Sequence, residues 1–183
     1  EYYTRTLRFN DALEYLDRAY KLECRYNQNP YDGSVNYLRG ICMRELGQYD
    51  RAYDLLYRAY WSNNVISPAM TAIAAIDGMR KDYKAMYIHA MEAISKEAKH
   101  PVAPVYAALA LYKQGDIRNA AAMCRDVLKR DSLNHLARYA LALLDLKERQ
   151  NNALMFYNSF SRSATKERTS SIMKYKKHSV FSI

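Results

Sequence analysis

Residues 47–60, which read GQYDRAYDLLYRAY, decide the fold of this 183-residue chain. Ala52, Leu56, Ala59 and Tyr60 follow one another at steps of four, three and one, which places them on one face of an α-helix. Gly47 comes just before this run and breaks it from the apolar residues upstream. The stretch therefore predicts a tight turn followed by a helix that packs through small and aromatic side chains.

The same pattern of residues recurs every 34 positions along the chain. Each series keeps one kind of side chain, either small, aromatic or bulky aliphatic, and agreement of several series at one period indicates internal repeats. The series are Tyr49, Tyr83 and Ile117; Ala52, Met86 and Ala120; Leu56, Ala90 and Cys124; Ala59, Ala93 and Val127; Tyr60, Ile94 and Leu128; and Gly40, Ala74, Ala108 and Ala142.

Each repeat is predicted to be a helix, a tight turn and a second helix. Tyr37, Leu38, Ile41 and Cys42 form the apolar face of a first helix, upstream of the turn at Gly47. One such hairpin cannot bury its apolar faces alone, whereas stacked hairpins form a superhelix with one concave face.

Polar residues at the turns predict where helices begin. Asp82 and Asp116 stand at the equivalent turn position of later repeats, where a carboxylate accepts from free N–H groups of the next helix. Ser67 and Pro68 predict another start, with Ser67 as the N-cap and Pro68 in the first helical position.

The 34-residue period, the turns LGQY (46–49) and QGDI (114–117) and the small-residue series resemble the tetratricopeptide-repeat (TPR) family over about residues 7–161. The resemblance implies an all-α fold, a right-handed superhelix of antiparallel helix hairpins. Met86 stands where the family usually has alanine, which predicts looser packing there. The large aromatic residue often found early in the first helix is replaced by Asn36, Met70, Pro104 and Arg138.

The repeats predict one domain at residues 1–161. It would comprise a partial repeat at 1–32, full repeats at about 33–66, 67–100 and 101–134, and a degenerate repeat at 135–161. Residues 162–183 are predicted to be a basic tail or a capping helix. Because the chain starts in the middle of a repeat, we expect it to be a piece of a longer protein.

The net charge of +9 is concentrated near the end of the chain, since residues 162–183 contain six Lys/Arg and one acidic residue. The repeats themselves are only mildly basic, so nucleic acid is an unlikely partner. No apolar run is long enough to cross a membrane. Cys24, Cys42 and Cys124 are far apart, which favours reduced core cysteines in a cytoplasmic protein.

The sequence shows no combination of residues typical of a catalytic or metal site. His89, His100, His135 and His178 have no metal-ligand spacing, and no glycine-rich phosphate loop is present. We therefore expect no cofactor, no metal and no enzymatic activity. His89 is expected at the surface or in a groove, and Tyr53 and Tyr57 on the convex or inter-repeat side.

In proteins of the resembled family the first helices line a concave groove that binds partners. This implies a mainly apolar and aromatic groove, in which Arg44 alone is comparable to the basic residues that some members use to hold a C-terminal carboxylate. The groove residues carried over from the family are Tyr37, Ile41, Arg44, Thr71, Ala75, Gly78, Val105, Leu109, Tyr112, Tyr139, Leu143 and Leu146.

Two functions remain open at this point. The first is a scaffold that binds a protein or peptide with apolar anchors, or another domain or the tail of its own longer chain. The second follows from a likeness of YWSNN (60–64) and LNHLARY (133–139) to a bacterial protein group whose repeats follow a large β-rich domain. It is a regulatory or substrate-positioning repeat domain of a larger carbohydrate-active enzyme. Exposed apolar ends of the solenoid would also allow oligomers.

Overall fold

The computed structural model describes residues 4, 6–26, 28, 30 and 32–155. Residues 135–155 are helical in addition to seven helices with defined ends, and the described residues contain no strand. The predicted all-α class is therefore confirmed, whereas the predicted basic tail or capping helix at 162–183 lies outside the described residues. The seven helices are α1 (Phe9–Glu23), α2 (Ser34–Glu45), α3 (Tyr49–Ala59), α4 (Ile66–Met79), α5 (Tyr83–Lys96), α6 (Ala103–Lys113) and α7 (Ile117–Arg130).

The chain divides into two compact units. The first ends at Leu141 and contains α1 to α7, and the second begins at Ala142 and contains the helical residues 142–155. Within the first unit each helix packs on the next one along the chain, while α2 also contacts α4, and α4 also contacts α6. The first helices of successive hairpins therefore lie side by side, as expected for a TPR-like solenoid.

The recurring residues form the core of the first unit. Ala52, Leu56, Ala59, Ala90 and Ala93 are fully buried, as predicted from the 34-residue series. Small residues are needed where helices come closest: a Cβ atom added at Gly40 would lie 2.7 Å from Cγ of Leu56. The repeat pattern thus records packing between helices.

The turns of the three hairpins share one unusual backbone conformation. Gly47, Lys81 and Gly115, which are 34 residues apart, have φ angles of 75°, 63° and 94°. Glycine adopts this left-handed region without steric cost, whereas a lysine does not. Immediately after two of these turns, the carboxylates of Asp82 and Asp116 accept from N–H groups of Ala85 and Asn119, so both predicted caps are confirmed.

The predicted start of α4 is wrong. The helix begins at Ile66, so Ser67 lies inside the first turn and does not cap it. Ser67 is buried, and its hydroxyl donates to the carbonyl oxygen of Ala93 at 3.1 Å. The earlier start buries the apolar side chains of Val65 and Ile66, and Ser67 then joins α4 to the end of α5.

Candidate functional site

The groove residues predicted on α2 lie partly open beside the core. Tyr37 and Ile41 are half-buried and pack against the apolar cluster formed by α3 and α4. Burial raises the pKa of the Tyr37 phenol, and the positive charge of Arg44 partly opposes this rise. Tyr37 is therefore a neutral aromatic surface that a partner could contact.

Arg44 is already paired. Its Nε atom donates to Oε1 of Glu45 at 2.9 Å, and about a fifth of its side chain is exposed. A carboxylate from a partner would have to compete with Glu45 for this guanidinium. The position is thus poorly suited to gripping an acidic chain end.

Two predicted groove residues are buried. Val105 has no exposed surface, and Thr71 is 7% exposed, with its hydroxyl donating to the Ser67 carbonyl oxygen at 2.8 Å. Both side chains point into the packing between helices because α4 and α6 are covered on more sides than an outer helix would be. A partner in the groove cannot contact them in this structure, so they are withdrawn from the candidate surface.

The remaining groove positions differ in exposure. Ala75, Gly78, Leu109 and Tyr112 are half-buried, and the Lys113 ammonium lies 5.5 Å from the centre of the Tyr112 ring. Tyr139 is 66% exposed at the end of the first unit. Leu143 and Leu146, both exposed, belong to the second unit.

A polar cluster between α3, α4 and α5 was not predicted from the sequence. Nδ1 of His89 lies 2.6 Å from Oδ2 of Asp77, and Nε2 of His89 lies 2.7 Å from the Tyr57 hydroxyl. Tyr53 and Tyr57 both meet the His89 ring edge to face. His89 therefore joins two successive hairpins, and its expected place at the surface or in the groove is wrong.

Burial explains the electrostatics of this cluster. The Asp77 side chain is 4% exposed and the His89 side chain 13% exposed. Burial raises the pKa of the Tyr53 phenol, and the hydrogen bond from Tyr57 and the Asp77 charge raise it further. Tyr53 and Tyr57 lie between repeats, as expected, and the phenol of Tyr53 stays protonated.

A sequence signal for this cluster exists in the spacing of polar partners. Contacts between successive hairpins join residues 30 to 33 positions apart, slightly less than one repeat. Examples are the Tyr60 hydroxyl, which donates to Glu92 at 2.6 Å, and Gln114, whose amide donates to the carbonyl oxygen of Tyr83 at 2.9 Å. Pairing polar residues at this offset would have connected Tyr57 with His89.

The described part of the chain offers little reactive chemistry. Burial raises the pKa of the Cys124 thiol to about 11, so the reactive thiolate is scarce near neutral pH. No three His, Cys, Asp or Glu side chains among the described residues are arranged to hold a metal ion. None of the helices within the described ranges combines the length and apolar character needed to cross a bilayer.

Comparison with known families decides the classification. A tetratricopeptide-repeat family model matches residues 2–66 and 107–150, which together make up more than half of the chain. The chain belongs to the tetratricopeptide-repeat family. The TPR resemblance read from the sequence is therefore confirmed.

A solved structure described as the first TPR of Spaghetti (RPAP3) bound to the HSP90 peptide SRMEEVD has the same fold. It superposes with a TM-score of 0.59 at 16% sequence identity, covering 63% of this chain and 92% of the solved one. At this identity the likeness supports the TPR fold alone. A comparison with curated proteins gives no significant match.

Proposed function

We propose that this TPR protein is a non-catalytic scaffold that binds a protein or peptide along the face formed by α2, α4 and α6. The observation that carries the proposal is the direct contact of α2 with α4 and of α4 with α6, which brings partly open apolar and aromatic side chains of successive hairpins side by side. The solved TPR that shares the fold was determined with a peptide bound. We take the repeat boundaries near 33, 67 and 101 and a cytoplasmic location as parts of the same proposal.

The proposed contact surface is restricted to the first unit and to side chains with exposed area. It keeps the aromatic anchors Tyr37, Tyr112 and Tyr139 together with Ile41, Ala75 and Leu109. Tyrosine rings supply a large contact area at low entropic cost, which suits them to binding surfaces.

The chemistry of this surface favours a peptide with apolar anchors over an acidic one. Arg44 is held by Glu45, and Lys113 lies over the rings of Tyr83 and Tyr112. A helix or extended segment that presents apolar residues at regular spacing would match the row of tyrosines and aliphatic residues. A domain or segment of its own longer chain could present the same anchors.

A displayed library of random peptides, selected against the immobilised chain, tests the proposal. We expect enrichment of sequences with two or more large apolar residues and no requirement for a C-terminal carboxylate. Tyr112→Ala should then weaken the selected peptides by at least about tenfold, the loss of one interface aromatic.

Tyr26→Ala is the matched control, because Tyr26 is 84% exposed and lies outside the first helices. This variant should bind the selected peptides as the unaltered chain does. If both tyrosine variants bind alike, or if the selection yields acidic chain ends that need Arg44, the proposed surface is wrong.

A further inference from the structure

A pocket of about 380 Å³ lies away from the proposed groove, where α1, α2 and the end of α3 meet. It shares no residue with the peptide surface described above. Four aromatic rings, one amide and one guanidinium line it, and its volume falls within the range of small-ligand sites. The lining residues are Tyr20, Asn36, Tyr57, Arg58, Tyr60 and Trp61.

Asn36 is the first indication that the pocket is built for a ligand. It is 4% exposed, yet its Oδ1 atom has no hydrogen-bond partner among the described residues. Leaving a buried amide oxygen without a partner costs about 1–3 kcal/mol. A ligand that offers an N–H or O–H group from the pocket would supply the missing bond.

Arg58 is the second indication. It lines the pocket, is exposed, and forms no ion pair with another described residue. The neighbouring guanidinium of Arg39, which lies 4.7 Å from the centre of the Tyr20 ring, is already paired with Asp17 at 2.8 Å. The free positive charge at this pocket is therefore that of Arg58, and it favours an anion.

The tyrosine hydroxyls limit what else can bind. Those of Tyr57 and Tyr60 are engaged by His89 at 2.7 Å and by Glu92 at 2.6 Å. Their rings, with Trp61, thus present mainly apolar faces to the pocket. A sugar would need several further polar partners, whereas an aromatic ring would stack on these faces.

We propose that this pocket binds an aromatic ring that carries an anionic group and a hydrogen-bond donor. The ring stacks among Tyr20, Tyr60 and Trp61, the anion pairs with Arg58, and the donor reaches the Asn36 amide. The ligand is either a free aromatic acid or an aromatic residue at the carboxyl end of a peptide, since both present the same groups.

Trp61 allows a direct test, because it is the single tryptophan of the chain and lies 52% exposed on the pocket. We would titrate the full chain with 4-hydroxyphenylacetate while exciting tryptophan selectively. A saturable change in Trp61 emission with a Kd on the order of 1 mM is expected for a ligand of this size. Tyramine, which replaces the anion by a cation, should bind at least tenfold more weakly and so shows whether Arg58 outweighs Glu92.

Three variants separate this site from a general effect. Asn36→Met fills the pocket and should abolish binding, and Arg58→Gln should weaken binding of the acid about tenfold without changing that of tyramine. Arg118→Gln removes the same charge on α7, far from the pocket, and should leave both titrations unchanged. Circular dichroism spectra should be the same for all four proteins.

The peptide acetyl-Gly-Gly-Tyr with a free carboxylate distinguishes the two sources. Binding at least tenfold tighter than that of 4-hydroxyphenylacetate assigns the pocket to a peptide end, and equal or weaker binding assigns it to a free acid. The proposal is overturned if neither ligand saturates, if tyramine binds as well as the acid, or if a folded Asn36→Met variant still binds. Tyr112→Ala should not alter these titrations, so failure here and failure of the peptide groove are separate results.

Discussion

Asn36 on α2 and Met70 on α4 occupy the same position in neighbouring hairpins, 34 residues apart. Met70 is fully buried and belongs to the main apolar cluster. Asn36 is also buried, but its shorter polar side chain lines a pocket of about 380 Å³. One position of the repeat is thus filled in one hairpin and left open in the other.

The residues around these two positions differ in the same sense. Tyr60 donates its hydroxyl to Glu92, whereas the equivalents one repeat earlier are Tyr20 and the unpaired Arg58. The α4–α5 hairpin also has the buried Asp77–His89 pair, and the corresponding residues of α2–α3 are apolar, Met43 and Leu55. The junction between α3 and α5 is thereby closed by polar pairs, and the one between α1 and α3 is not.

This difference teaches that repeats of one backbone plan need not share one role. Every hairpin must bury its small-residue series, since that series sets the distance between helices. The positions at the edge of the junction are free to vary. Here one junction is specialised for stability, and the other retains polar and aromatic groups available to a ligand.

Met70→Asn should break the comparison most strongly, because it imposes the open arrangement on the filled junction. The change leaves a cavity and a buried amide in an apolar cluster, so unfolding should become easier by about 4 kcal/mol. Urea unfolding followed by circular dichroism would measure this loss. The reciprocal Asn36→Met should instead stabilise the chain by about 1 kcal/mol, and equal destabilisation by both changes would contradict the proposed difference.

Asp77→Ala tests the polar closure of the second junction. It removes the partner of His89 Nδ1 inside a site where the carboxylate is 4% exposed, so we expect a loss of about 2 kcal/mol in the free energy of unfolding. Asp50→Ala is the control, since the Asp50 carboxylate that pairs with Arg80 is fully exposed and should contribute less than about 0.5 kcal/mol. Similar losses from both variants would mean that burial gives the Asp77–His89 pair no special weight.

Much of this architecture could be predicted from the sequence, and the reason is physical. Residues such as Ala52, Leu56 and Ala93 repeat because each hairpin presents the same surface to its neighbour, and such a surface leaves a periodic trace. Asp82 and Asp116 were predictable as caps because capping depends on local chain geometry alone.

The functional positions were harder to predict because they depart from the period. Asn36 was recognised as a substitution for a large aromatic residue, but nothing local indicates that Trp61 and Arg58 surround it. His89 meets Asp77 and Tyr57 through contacts between helices, at an offset that only the stacking of hairpins fixes. Thr71 and Val105 were assigned to the groove by register, which identifies a helix face without saying how fully neighbouring helices cover it.

Lys81→Gly should sharpen the comparison of the two turns. Gly47 ends the first hairpin's α2 with a positive φ at no steric cost, whereas Lys81 adopts a φ of 63° at the same position after α4. Replacing the lysine should raise the free energy of unfolding by about 0.5–1 kcal/mol, as relief of left-handed strain exceeds the added chain entropy. Lys84→Gly within α5 is the opposite control and should destabilise by a similar amount. Loss of stability in Lys81→Gly would show that the lysine side chain makes a contact worth more than the strain.

The smallest expected effect concerns the starts of the next helices, where His100 and Asn134 stand 34 residues apart. His100 Nδ1 accepts from the N–H of Ala103 at 3.0 Å, and Asn134 Oδ1 accepts from that of Ala137 at 3.0 Å. Burial lowers the pKa of His100 below its usual 6.5, so the folded chain holds this proton less tightly than the unfolded chain.

Stability from neutral His100 should therefore be present above about pH 6.5 and fall as the pH drops from there toward the lowered pKa. His100→Asn, which copies Asn134, keeps an N-cap acceptor but cannot be protonated. Melting temperatures measured between pH 7.5 and 5.5 should fall more steeply for the unaltered chain than for this variant, with both nearly equal at the higher pH. Parallel curves would show that protonated His100 still supports the start of α6, so that histidine and asparagine caps are equivalent over this range.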